Sequence, residues 1–180
     1  TFVAGAFEVR DYPALLAAEV TERGDRDQAA TAGFRRLAAN NFGGNTRRRS
    51  LAMTTPVVQA PTGGQRLAMT APVVQSGQPG SWLVRFLMPR GYTLETLPVP
   101  HDPRVRLLML PPARFAVVRF SGLARSAEVE RQTTLLRAFA ADQDLSVTGS
   151  AALARYNPPW TLWFLRRNEV LLPLAPTTSP

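Results

Sequence analysis

The side chains able to do chemistry are few in kind. One histidine, His101, stands in Pro98-Val99-Pro100-His101-Asp102-Pro103, and the 180 residues contain neither cysteine nor lysine. A histidine-rich zinc centre, a Ser/His/Asp hydrolase and a bis-histidine haem would each have to use that one imidazole. Missing thiols remove disulfides, thiolate catalysis, Cys-bound zinc and iron–sulfur clusters. Missing lysine removes Schiff-base chemistry and the GxxxxGK[ST] phosphate loop. Bracketed by prolines, His101 reads as an exposed loop residue rather than a ligand. The carboxylates Asp25, Asp27, Glu128 and Glu130 flank predicted helix starts, where they would satisfy free N–H groups and the helix dipole. The sequence therefore predicts no catalytic residues, no metal site and no enzyme.

What remains is arginine. The 21 basic residues face 13 acidic ones, giving a net charge of +8, and every base is a guanidinium. Such a surplus suits an anionic partner: carboxylates, phosphates or an acidic membrane face. Arg47-Arg48-Arg49 has no aromatic interleaving, so a solvated basic loop or anion capture is expected there, and no nucleic acid. Leu51-Ala52-Met53-Thr54-Thr55-Pro56-Val57-Val58-Gln59 recurs as Leu67-Ala68-Met69-Thr70-Ala71-Pro72-Val73-Val74-Gln75, which reads as two extended arms joined at Gly63-Gly64, with their methionines packing rather than ligating. In Arg155-Tyr156-Asn157-Pro158-Pro159-Trp160 the prolines fix the backbone between two flat side chains with polar tips, fit for the rim of an apolar pocket or for packing. Arg166 and Asn168 should face oppositely to Arg167 and Glu169, leaving the latter for an ion pair.

These residues need elements to hold them. Phe7 to Tyr12 alternates apolar with polar residues, and Ala14 to Val20 continues extended after Pro13. After Gly24, a helix is predicted over 25–42, with Ala30, Phe34, Leu37, Ala38 and Phe42 at three- and four-residue spacings before Gly43-Gly44. A strand follows over Ser81 to Met88. The second half repeats the order: Arg104 to Leu110, Pro111-Pro112, Arg114 to Phe120, Gly122, a helix over 126–141, Ala151 to Tyr156, and a β-prone run over Trp160 to Leu172. Two strand–strand–helix–strand–strand units, about 6–90 and 104–174, thus share one domain over 1–180, with a surface connection over Gly91 to Pro103 and a frayed tail over 175–180. No apolar run is long enough to span a membrane. A soluble protein is expected, cytoplasmic or exported after loss of an upstream segment.

Taken together, Phe7-Glu8-Val9-Arg10-Asp11-Tyr12-Pro13, Phe42-Gly43-Gly44-Asn45, Ala52-Met53-Thr54-Thr55-Pro56-Val57, Leu94-Glu95-Thr96-Leu97-Pro98, Arg155 to Trp160 and Arg166 to Val170 resemble the SOUL haem-binding protein family, in order, from Phe7 to Leu174. The resemblance implies an α+β fold in which two pseudo-twofold repeats form a distorted antiparallel β-barrel flanked by two helices. It implies non-covalent binding of haem or another tetrapyrrole, without a reaction, in an apolar groove between the first helix and the loop from Tyr156 to Phe164. Carried over, the site comprises Phe34, Leu37, Ala38 and Phe42 on the helix, with Tyr156 and Trp160 from the loop. Arg35, Arg36, Arg47 and Arg155 supply charge for the propionates. The same architecture resembles effector domains of multidrug-responsive regulators, so another bulky hydrophobic ligand is the rival reading. A third is a protein-interaction or membrane-surface module that uses the positive charge without haem.

Overall fold

The structure, a computed structural model, describes residues 2–4, 6–41, 45–46, 73–78, 80–88, 91–157 and 161–176. Its elements are β1 (Phe2–Ala4), β2 (Phe7–Tyr12), β3 (Leu15–Gly24), α1 (Arg26–Asn41), β4 (Asn45–Thr46), β5 (Val73–Gln78), β6 (Gly80–Leu87), β7 (Val99–Pro100), β8 (Arg106–Leu110), β9 (Ala113–Ser121), α2 (Ser126–Asp142), β10 (Ala152–Arg155), a 3-10 turn (Trp163–Leu165) and β11 (Arg167–Leu174). Nine strands make one antiparallel sheet in the order β1-β2-β9-β11-β10-β5-β6-β3-β8, while β4 and β7 pair separately. Read inward from β2 and β8, the order matches β9 with β3, β11 with β6, and β10 with β5 at the centre. The sheet is strongly curled, but among the described residues no ladder joins β8 to β1. The expected barrel is thus an open half-barrel.

Period-two alternation sends side chains to two faces. On β2, Phe7 and Val9 join the core beneath α2, where Phe7 stacks on Phe139 at 5.0 Å, while Arg10 reaches Glu169. Helix α1 packs on β3 and β6, and α2 on β9 and β11. Asp25 caps α1 as its spacing predicts, its Oδ1 accepting from the Gln28 N–H at 2.8 Å. Helix α2 has no side-chain cap, because Arg125 stands at its N-cap and a guanidinium offers no acceptor, while Glu128 accepts from Arg131 and Gln132. Its buried face, Val129, Gln132, Leu136, Phe139 and Ala140, follows helical spacing. Leu37 of α1 and Leu136 of α2 are fully buried, each stabilising the fold by roughly 2 kcal/mol. Gly33 sets how closely α1 approaches the sheet: a Cβ there would lie 2.7 Å from Val84. Gly24 and Gly122, at φ +117° and +100°, turn the chain from a strand toward each helix.

Three local expectations change. The 91–103 connection is not wholly superficial, since Leu97 is fully buried beside Leu37 with Tyr92 and Leu94 packed on the same cluster. The β-prone run over 160–172 is interrupted: Leu165 N–H donates to Leu162 O and Arg166 N–H to Trp163 O, so pairing with β9 starts only at Arg167. Of the duplicated segments, Val73, Val74 and Gln75 begin β5; the first copy and the Gly63-Gly64 turn lie outside the described residues.

Candidate functional site: an arginine-lined cleft between the helices

Because the helices pack on the strands that flank the centre, β3 and β6 on one side and β9 and β11 on the other, the central pair β10 and β5 lies under the gap between them. There a cleft of about 610 Å³ opens, lined by Ala30, Phe34 and Arg35 of α1, Val73, Arg155 and Asn168 of the sheet, and the loop from Gly122 to Arg125. That volume falls in the range of roughly 300–1,000 Å³ typical of small-molecule sites. Phe34 is set edge-on against Phe86, with centroids 5.5 Å apart, so its ring is braced where it meets the cleft. Asn168, buried on β11, donates from Nδ2 to the Gly122 carbonyl at 2.9 Å and so holds the β9–α2 loop in place.

The lining is electrostatically one-sided. Arg35, Arg125, Arg155 and Arg166 face one acid, Asp27. Arg155 pairs with Asp27 at 3.0 Å, and the Arg166 Nε donates to Thr161 O at 2.8 Å. Arg35 and Arg125 make no ion pair among the described residues. No histidine, methionine or tyrosine is among the described lining residues, so the donor set suits carboxylate pairing rather than iron ligation.

The other face of the sheet is built differently. Glu169, with no exposed surface, accepts from Arg10 at 2.9 and 3.2 Å, from Arg167 at 2.6 and 3.1 Å and from the Tyr156 hydroxyl at 2.7 Å. Burial opposes its charge, yet the donors Arg10, Tyr156 and Arg167 hold its carboxyl below the usual value. Burial, then the bond to Glu169, pushes the Tyr156 phenol above its ordinary range. The Arg167 guanidinium lies over the Tyr156 ring at 4.4 Å. Across the same face, Glu19 is clamped by Arg85 at 2.9 Å and Arg106 at 2.6 Å.

The structure therefore divides the sequence-predicted site. Phe34, Arg35 and Arg155 meet at the cleft. Leu37 and Ala38 lie in the core under α1, because they occupy the helix face turned to the sheet. Arg36 is bound to Glu22 at 2.6 Å and to Asp102 at 2.5 Å, away from the cleft lining. Tyr156 goes to the opposite face, since it lies one position beyond Arg155 along an extended chain. Phe42, Arg47 and Trp160 lie outside the described residues. His101 is exposed, its Nε2 2.8 Å from Thr46 Oγ1. Missed by sequence reasoning were Arg125 and the cleft role of Arg166 and Asn168. The alternation that separates Arg166 and Asn168 from Arg167 and Glu169 was their signal. Arg125 carried none beyond its place ahead of α2.

A family model, SOUL heme-binding protein, matches residues 1–173. No curated protein matches significantly. Among solved structures, the C-terminal domain of EcmrR is 9% identical with TM-score 0.61, covering 94% of this chain and 96% of that one. EcmrR in a complex with DNA aligns at 10% identity and TM-score 0.62, over 93% of this chain and 56% of that one. A hydrolase from Listeria innocua is 15% identical with TM-score 0.58, covering 94% and 91%. SAV2435 bound to tetraphenylphosphonium is 10% identical with TM-score 0.50, covering 94% and 93%. At such identities the likeness shows the fold alone, and it does not support excluding nucleic acid as a partner. No helix among the described residues is long and apolar enough to cross a membrane. With the motif order, the curled antiparallel sheet carrying two helices and a family match spanning nearly the whole sequence, the chain belongs to the SOUL haem-binding protein family.

Proposed function

We propose that the cleft between α1 and α2 holds haem or a related tetrapyrrole non-covalently, and that the protein acts as a carrier or buffer without a reaction of its own. The observation that carries this reading is the lining itself: an apolar floor of Ala30, Phe34, Val73, Leu123 and Ala124 beneath four guanidiniums and one carboxylate. A flat macrocycle would bury apolar area against that floor, while its carboxylates pair with Arg35, Arg125 and Arg155. Family membership supports the ligand class. The matched strand order supports a pseudo-twofold relation between the units 6–90 and 104–174 within one domain over 1–180. The cleft would then lie where the units meet.

Another bulky hydrophobic ligand is the second reading, prompted by the tetraphenylphosphonium in SAV2435. A cationic ligand needs an unpaired acid, and the buried acids Glu19 and Glu169 already carry arginines. The test is titration with haemin, its dimethyl ester and tetraphenylphosphonium, on wild type and on an Arg35→Ala/Arg125→Ala variant. Saturable haemin binding that weakens in the variant, with the diester indifferent to the substitutions, supports the carboxylate reading. Saturable binding of the phosphonium alone would overturn it.

A further inference from the structure

The chain from Leu162 to Leu165 exposes what a globular surface normally hides. Leu162, Trp163, Phe164 and Leu165 are 59%, 58%, 53% and 62% exposed, and Leu123 beside them is 39% exposed. The turn is not loose. Leu165 N–H donates to Leu162 O at 2.9 Å, Trp163 and Phe164 meet edge to face at 5.6 Å, and Arg167 N–H on the Asn157 side chain at 2.6 Å ties the following strand back to the loop start. Four consecutive large apolar side chains are thus held outward on a fixed turn. Exposed apolar patches of this kind mark interaction surfaces.

Charge decides among occupants. Trp163 and Leu123 share a shallow depression with Arg125, a guanidinium that makes no ion pair among the described residues, and with Glu128, whose carboxylate is already held by Arg131 at 2.8 Å; Arg166 follows the turn directly. The chain as a whole carries +8. Four side chains at little over half exposure offer on the order of 400 Å², short of the roughly 800 Å² per partner that a stable protein interface buries. Such a knob needs a partner it can penetrate. Trp, Phe and Leu with Arg125 and Arg166 beside them suit a lipid surface with negative headgroups, where the indole sits at the interface and guanidiniums meet phosphates.

We propose that the 162–165 turn docks the protein reversibly on anionic lipid membranes, with Trp163 and Phe164 inserted and Arg125 at the headgroups. Gly122, Leu123 and Arg125 line both this depression and the cleft, so docking would bring the cleft beside the lipid surface. The docking itself stands independently of the cleft's ligand.

The test uses the whole 180-residue chain without tetrapyrrole, sedimented with phosphatidylcholine vesicles that contain or lack phosphatidylserine. Expected are binding to the anionic vesicles only, quenching of tryptophan emission by bromine-bearing lipid, and a drop in partitioning of at least about tenfold in a Trp163→Ser/Phe164→Ser variant whose melting temperature is unchanged. The quenching needs no variant and reports insertion in the wild-type chain. No wild-type binding, binding equally strong to neutral vesicles, or binding that survives the double substitution would each overturn the proposal. So would a wild-type dimer in sedimentation velocity that the double substitution dissociates, for then the turn is covered by a second copy.

Discussion

Arginine has opposite fates on the two faces of the sheet. On the face away from the helices, Arg10 and Arg167 close on Glu169, and Arg85 and Arg106 close on Glu19, so each charge is answered within the protein. In the cleft, Arg35 and Arg125 meet no carboxylate of the described residues, and Arg155 pairs with the exposed Asp27. The first arrangement holds the sheet together. The second leaves charge available to a ligand. A count of arginines does not locate a site; the carboxylates around them do.

The comparison breaks first at Glu169. Replacing it with Gln strands two guanidiniums on a buried amide and should cost about 3 kcal/mol, read by denaturant unfolding, while leaving haemin affinity intact. Its carboxyl titrates lower in the folded state than its ordinary 4.5, so its contribution is full above that value and is lost as pH falls through the depressed folded value. Acid unfolding of wild type should therefore steepen below about pH 4.5, and Glu169→Gln should flatten that limb. If the variant retained the full acid slope, the cluster would not be what holds this face.

Next comes Gly33. Val at this position drives its side chain into Val84 and should cost roughly 2 kcal/mol. Because α1 also forms one wall of the cleft, haemin affinity should fall with stability, unlike at Glu169. Tyr156→Phe is smaller: losing the 2.7 Å bond to Glu169 should lower stability by about 1.5 kcal/mol, with haemin binding unmoved. A large loss of affinity there would return Tyr156 to the site and break the division between faces. Arg35→Ala should weaken haemin binding about fivefold and flatten its salt dependence, with stability changed by less than about 0.5 kcal/mol. Smallest of all, His101→Ala should shift neither melting temperature nor Soret absorbance beyond error, since the hydrogen-bond partner of His101 among the described residues is the exposed Thr46.

Period and punctuation made most of the fold readable. Asp25 before an apolar helical pattern, Gly24 and Gly122 ahead of the helices, and the alternation of Phe7 to Tyr12 each match an observed feature. The site was less legible, because a helix pattern names the apolar face without saying whether a sheet or a cleft meets it. Leu37 and Ala38 point to the sheet, whereas Phe34, on the edge of the same stripe, reaches the opening. Arg36 and Arg35 are neighbours in sequence, yet Arg36 is paired and Arg35 lines the cleft, which the placement of Glu22 and Asp102 decides. Arg125 depends on the pairing of β11 with β9, a long-range fact that no local pattern carries.

The strand order also bears on how the chain reaches this structure. Phe7 lies opposite Val118, and Leu15 opposite Leu110, so β2 and β3 complete their ladders only with strands made much later in the chain. Closing such distant pairs before local contacts can reward them predicts slow folding. A nascent chain ending before β8 would expose β2 and β3 as unpaired edges, open to mispairing with neighbouring chains. Folding yield in the cell should accordingly depend on translation speed and on chaperones far more than the modest size of the protein suggests.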